Sequence, residues 1–303
     1  MIQAYGKGVV KLKESKGDRA FTIFNYIFLA IVAIIVLYPL LFVLSASLSN
    51  PQYVISGDMW LWPKEFTVEA YKKVFQNPDI INGFINTLKY TFFGTVLNIV
   101  MTICAAYPLS RRDLKGKGFI MAFMVFTMFF SGGLIPTYLL IRDLGMINTF
   151  WVMIIPNAVA VWNIIIMRTF FQSIPHELEE SATIDGAGNF RILWSIVLPL
   201  SFPVMAVMVL FYAVGHWNSY FQALIYLQDQ SKFPLQLILR QILIQGQADD
   251  MIQATSESFL AQKLSVEGLK YAVLIIANLP MLMLYPFLQR YFVKGVMIGS
   301  LKG

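Results

Sequence analysis

Phe21-Thr-Ile-Phe-Asn-Tyr-Ile-Phe-Leu-Ala-Ile-Val-Ala-Ile-Ile-Val-Leu-Tyr-Pro-Leu-Leu-Phe-Val-Leu44 runs without a charged residue. A helix needs about 20 apolar residues to cross a bilayer, whereas the apolar core of a secretory leader holds about 7–15. The run is therefore too long for a leader and reads as a retained transmembrane helix. Five further segments have the same character: Gly83–Leu109, Phe119–Ile141, Phe150–Met167, Pro203–Leu227 and Leu269–Leu288. Only Lys89 and Lys270 place a charge within these limits, each near an end where a long side chain reaches the interface. Prolines fall inside most of them (Pro39, Pro108, Pro136, Pro156, Pro203, Pro280 and Pro286), so kinked helices are expected.

Composition agrees. Of 303 residues, 57% are hydrophobic and 13% charged, and the mean hydropathy is +0.64. Soluble domains carry about 25% charged residues. The formal net charge of +6 does not point to nucleic acid, because loop topology accounts for it. With the N-terminus inside, the segments 1–20, 110–118, 168–202 and 289–303 hold fourteen Lys and Arg, and the outer segments hold seven. The positive-inside rule then sets both termini in the cytoplasm, with Arg111, Arg112, Lys115 and Lys117 as the strongest determinant. Cys104 is the one cysteine and His176 and His216 are the two histidines, too few and too scattered for a disulfide or a metal cluster. Cys104 reads as a packing residue and His216 as a hydrogen-bonded structural one.

Ser45–Asn82 lies outside in this topology, and its Trp60, Trp62 and Tyr71 suit the membrane interface. Gln228–Glu267 is also outside. The most informative polar stretch is the inner one, Ser173-Ile-Pro-His-Glu-Leu-Glu-Glu-Ser-Ala-Thr-Ile-Asp-Gly-Ala-Gly-Asn-Phe-Arg-Ile-Leu-Trp-Ser-Ile-Val-Leu-Pro199. Ser173 is expected to cap a helix with Pro175 in its first turn, and Glu177, Glu179 and Glu180 sit at its positive end. Ile174, Leu178 and Ala182 make one apolar stripe. Gly186 and Gly188 permit a sharp turn, after which a second helix runs from Asn189 toward Ile196. So short a unit needs something packed on it: the membrane surface, the rest of the chain or a partner protein.

The stretch resembles the signature of importer permeases driven by ATP-binding cassettes: Glu-Ala-Ala, three residues, Gly, nine residues, Ile, one residue, Leu-Pro. Here it falls on Glu180, Ser181, Ala182, Gly186, Ile196, Leu198 and Pro199, with serine replacing one alanine. The resemblance extends over nearly the whole chain. Asn86-Thr-Leu, Ala106-Tyr-Pro-Leu-Ser-Arg111, and Trp62-Pro with Phe66-Thr and Tyr71 are similar to sugar permeases. Phe130-Ser-Gly-Gly-Leu-Ile-Pro-Thr-Tyr138 is similar to permeases for larger or acidic oligosaccharides, the alginate importer's second permease among them.

The resemblance implies an all-α fold: a single transmembrane domain over 1–303 with six spans, a tail over 1–20, a coupling helix in 173–199 and a tail over 289–303. It implies that Glu180, Ala182, Asp185, Gly186 and Ala187 meet an ATP-binding subunit, and that Gly295, Gly299 and Lys302 in the tail do likewise. The implied partners are a second homologous permease, two ATP-binding cassette subunits that hold ATP and Mg, an extracytoplasmic solute-binding protein, lipid and an oligosaccharide. Gly215-His-Trp-Asn-Ser-Tyr-Phe221 combines aromatic faces with amide and hydroxyl groups, which suits a sugar path, and makes Trp217, Asn218 and Tyr220 candidates together with Tyr138.

No cofactor and no catalytic residue is expected in the chain itself. It carries no phosphate-binding Gly-x-x-x-x-Gly-Lys-Ser/Thr motif and no paired carboxylates or nucleophile–base set beside the spans. The alternative reading, an ion-coupled secondary sugar transporter, needs a titratable group at membrane depth, and His216 is the one candidate.

Overall fold

A computed structural model describes residues 15–251 and 257–300, with side chains over 15–244, 264–284 and at 286; the tail before residue 15 and the expected contact residue Lys302 lie outside the described residues. Every regular element among them is helical: α1 (Lys16–Ser47), α2 (Pro51–Ile55), α3 (Glu69–Gln76), α4 (Pro78–Ser110), α5 (Lys117–Phe129), α6 (Leu134–Asp143), a 3-10 turn (Phe150–Met153), α7 (Val161–Gln172), α8 (His176–Ile184), α9 (Asn189–Ile192), a π turn (Leu193–Val197), α10 (Leu198–Leu200), α11 (Phe202–Trp217), α12 (Phe221–Tyr226), a second 3-10 turn (Gln230–Lys232), α13 (Leu235–Met251) and α14 (Glu257–Ser300). The expected all-α membrane architecture is present, with spans less regular than an apolar run suggests.

Three described helices are long and apolar enough to cross a bilayer unbroken: α1, α4 and the stretch Leu264–Leu284 of α14. α1 starts where Ser15 and Asp18 form a reciprocal capping box, five residues before the apolar run. α4 starts where Asn77 accepts from the backbone N–H groups of Asp79 and Ile80, with Pro78 at the first helical position. α14 runs on to Ser300, so Gly295 and Gly299 of the expected tail are helical.

The third expected span is bent by 109° between α5 and α6 at Ser131-Gly132-Gly133. The fourth, read as a helix over Phe150–Met167, needs correction. Residues 150–153 form the 3-10 turn, 154–160 are irregular, and α7 begins at Val161 and continues to Gln172. Pro156 removes a backbone donor in the irregular part, and protein shields it from lipid: Val152, Met153 and Ile154 are all buried, and the Asn157 carbonyl accepts a bond from Asn98 Nδ2 on α4. The fifth span is shorter than expected. α11 ends at Trp217 and meets the preceding helical segment Asn189–Leu200 at 82°.

α4 is the axis of the bundle, packing most extensively against α11 and α7 and also against α13. Its buried face carries Thr87, Thr95, Asn98 and Thr102. His216 Nε2 and Asn98 Oδ1 are 2.7 Å apart, and the Thr102 and Tyr212 hydroxyls 2.6 Å apart. Gly94 makes this possible, because a Cβ there would overlap the His216 ring. His216 is thus a buried, hydrogen-bonded residue of the helix packing, as the sequence reading has it. The ring is enclosed by Gly94 and Asn98.

Candidate functional site

The residues of the signature build an angular foot at one end of α4. α7 is capped at its C-terminus by Ser173, whose hydroxyl donates to the Phe170 carbonyl. Ser173 therefore closes α7 instead of capping α8, as expected from the sequence; Pro175 occupies that cap position with no side-chain bond. α8 is capped at its C-terminus by Asp185, and Gly186 adopts φ +79°, a left-handed conformation open to glycine at little cost. The Gly186 N–H donates to the Thr183 carbonyl and the Ala187 N–H to the Ala182 carbonyl at 2.9 Å, which together form a Schellman motif. Gly188 sits in extended backbone and needs no glycine conformation. Beyond it the chain is helical through Pro199, because the π turn at 193–197 widens the helix ahead of the proline, which has no N–H to donate.

The foot is fastened to the rest of the bundle by groups from the end of α4 and the loop after it. Arg111 Nη1 donates to Glu179 Oε2 at 2.7 Å, with both side chains largely shielded. The Tyr107 hydroxyl donates to the Asn189 carbonyl at 3.2 Å, and Arg168 Nε on α7 donates to the Leu109 carbonyl. Arg111 also bonds Asp113, and that hydrogen bond holds the Asp113 carboxyl below the usual carboxylate range. Beside the buried core formed by Tyr107, Met167, Phe171, Ile192 and Val197, clefts open. One of about 650 Å³ lies between α8 and Arg111–Asp113; one of about 200 Å³ lies in the angle of the elbow against Ala182, Asp185 and Ala187.

The five candidate coupling residues are therefore gathered in one place. Glu180 is exposed and 2.8 Å from His176 Nδ1. Ala182 and Ala187 pack partly against the core, and Asp185 and Gly186 stand exposed at the elbow. The expected apolar stripe is partial: Ile174 and Ala182 pack inward, but Leu178 is exposed. Sequence reasoning missed the outward apolar residues Ile184, Phe190 and Trp194, of which Ile184 is 86% exposed and the last two are stacked with ring centroids 6.4 Å apart. It also missed the Arg111–Glu179 clasp, for which the opposite charges of the short basic loop and the 177–180 run were an available signal.

The four candidate path residues are not equivalent. Trp217 is buried, edge-on to Phe84, and its indole N–H donates to the Ala277 carbonyl, so it is committed to packing α11 on α14. Tyr138 stacks on Tyr226 at 6.1 Å in an inner cluster with Phe150 and Tyr90 nearby. Asn218 and Tyr220 are exposed at the break after α11. At this same end the Asn86-Thr87 pair has a visible task. Asn86 Nδ2 donates to the Ser231 and Phe233 carbonyls, and the Thr87 hydroxyl accepts from the Leu235 N–H. Of the interface aromatics expected around Ser45–Asn82, Trp60 and Trp62 are exposed, whereas the Tyr71 hydroxyl lies 2.7 Å from that of Ser47.

Comparison with known proteins meets this geometry. The chain is 41% identical over 292 residues to Protein LplC of Bacillus subtilis, covering 96% of this chain and 98% of that protein. It is 41% identical over 288 residues to the polygalacturonan/rhamnogalacturonan transport system permease protein YtcP of the same organism, covering 94% and 99%. A chain of a solved bacterial ABC transporter involved in the import of the acidic polysaccharide alginate superposes with a TM-score of 0.85 at 32% identity, covering 93% of this chain and all of that one. The model of the binding-protein-dependent transport system inner membrane component matches residues 80–298, which include the axis, the foot and the far-end break, and the chain belongs to that family.

Proposed function

We propose that this membrane component is the permease subunit of an ATP-driven oligosaccharide importer, and that its substrate is an acidic, uronate-containing glycan. The alginate-importing neighbour and the polygalacturonan/rhamnogalacturonan relative support the substrate class. The foot is the coupling element. The observation that carries this is the glycine elbow: a short helix ending in a closed Schellman motif, braced from behind by Arg111 and presenting Ile184 and Phe190 outward. Exposed apolar side chains on a braced, sharply turned unit fit insertion into a groove of another protein.

In this reading the foot lies in the cytoplasm, as the distribution of Lys and Arg favours, and two ATP-binding subunits grip the pair of feet supplied by this chain and a second, homologous permease. ATP and Mg stay in those subunits, and the free energy reaches this chain as a bias between two states of the bundle. A solute-binding protein delivers sugar at the opposite end. Gly295 and Gly299 on α14, with Lys302, add a contact to the ATP-binding subunits.

Gly186→Asp tests the coupling role. A Cβ meets nothing there, but the left-handed φ strains any side chain, and the elbow must re-form. Membrane insertion should be retained and uptake in the assembled transporter abolished. Normal transport by this variant counts against the foot as coupling element.

A further inference from the structure

α13 buries Leu235, Ile238 and Leu239 around Val74, Ile80, Ala272 and Val273, and Leu237 in a second cluster with Tyr90, Ile141 and Tyr226. Gln236 and Arg240 stand one turn apart on the face left over, toward the break after α11. Gln236 Nε2 donates to Asn218 Oδ1 at 3.4 Å, and the Arg240 guanidinium lies 5.9 Å from the centre of the Tyr220 ring. Among the described residues Arg240 has no carboxylate partner; the Tyr220 ring is its neighbour. An exposed amide, a half-buried amide, an exposed aromatic face and a guanidinium with no carboxylate partner among the described residues thus converge from two separate segments.

We infer that Arg240, Tyr220, Asn218 and Gln236 form a subsite for one uronate residue of the transported chain, with Arg240 taking the carboxylate. A planar guanidinium matches a carboxylate through two parallel N–H bonds, and a neutral sugar offers it no such partner. The Tyr220 ring covers the apolar C–H side of a pyranose, and the amides meet ring hydroxyls in both donor and acceptor senses. The site lies at the end of the bundle away from the foot. α13 is pinned to α4 at Thr87, whereas α4 touches the foot at Tyr107. Twenty helical residues separate those two contacts, about 30 Å at 1.5 Å per residue. The subsite is therefore placed at the end of the bundle opposite the foot, where sugar enters in the proposed topology. The inference rests on the proposed acidic substrate and adds the side chain that reads the charge.

The test uses the complete transporter, with both permeases, the ATP-binding subunits and the solute-binding protein, reconstituted in vesicles and supplied with a labelled trigalacturonate and, separately, a labelled alginate trisaccharide. Arg240→Gln should lower uptake of the transported uronate about tenfold or more, with the complex recovered in parental yield, while Arg240→Lys, which keeps the charge but loses the two parallel bonds, should fall between that variant and the parent. Uptake by Arg240→Gln within twofold of the parent overturns the subsite and leaves the substrate class standing. Equal loss in both variants with poor recovery of the complex assigns Arg240 a structural role and also overturns it. If the parental transporter imports neither acidic sugar, the substrate class itself fails, and the subsite with it.

Discussion

α1 and α4 are almost the same length, 32 and 33 residues, and lie in different surroundings. None of the apolar window of α1 is buried within the chain, against 39% for α4. The sequences follow. From Tyr26 to Leu44 α1 is continuous apolar and aromatic surface, whereas α4 interrupts its apolar residues with Thr87, Thr91, Thr95, Asn98 and Thr102. In lipid there is no hydrophobic gain from bringing two apolar helices together, so close packing and interhelical hydrogen bonds must hold a bundle. α4 supplies both: Gly94 for approach, and Asn98 and Thr102 for bonds to α11 and to the Asn157 carbonyl. The seam is incomplete, since the hydroxyls of Thr91 and Thr95 have no partner among the described residues. α1 packs on α14, where Phe42 meets Tyr271, and leaves its apolar window uncovered by this chain; α4 is the helix on which this chain is organised.

The largest effect that separates them is expected from Gly94→Leu. The added side chain overlaps the His216 ring, and neither helix can withdraw without parting the whole α4–α11 contact, so the cost should reach about 3 kcal/mol or more. Loss of folded protein on detergent extraction, or a large fall in thermal midpoint, measures it; unchanged stability would show that the contact is loose. Asn98→Ala should cost about 2 kcal/mol, since it leaves His216 and the Asn157 carbonyl without their partner. The same thermal assay reads it, with Asn98→Asp as a variant that keeps the acceptor. Ile34→Ala on α1 should change the stability of the isolated chain by less than about 0.5 kcal/mol, because Ile34 is 66% exposed. Repeated in the assembled transporter, the same substitution tells lipid from a second subunit: a larger loss there identifies α1 as an intersubunit helix.

Much of this was legible in the sequence, for physical reasons that also mark where legibility stopped. α1 and α4 stand out because a bilayer demands length and apolarity together. The elbow was legible because Gly186 is the residue a left-handed turn requires at the end of an amphipathic helix. The fourth span was misread as one helix because Val152, Met153 and Ile154 are as apolar as lipid-facing residues although they face protein; hydropathy cannot tell the two apart. Trp217 looked like a sugar-path residue from its neighbours in the chain, yet its fate is decided by Ala277 and Phe84, which are distant in sequence. Arg240 lies 20 positions beyond Tyr220, and only the fold of α12 and α13 brings the two side chains together.

One rod joins the two working ends. α4 is about 50 Å long at 1.5 Å per residue, with Tyr107 and Arg111 gripping the foot and Asn86 and Thr87 gripping the segment that leads into α13. Leverage follows from that shape: with the foot end as fulcrum, a tilt of about 5° displaces the far end by about 4 Å, more than the reach of a hydrogen bond. Under the proposed coupling role, a nudge too small to alter any contact in the elbow would be magnified into make-or-break motion around Asn218 and Arg240, with no need for α8 itself to change shape.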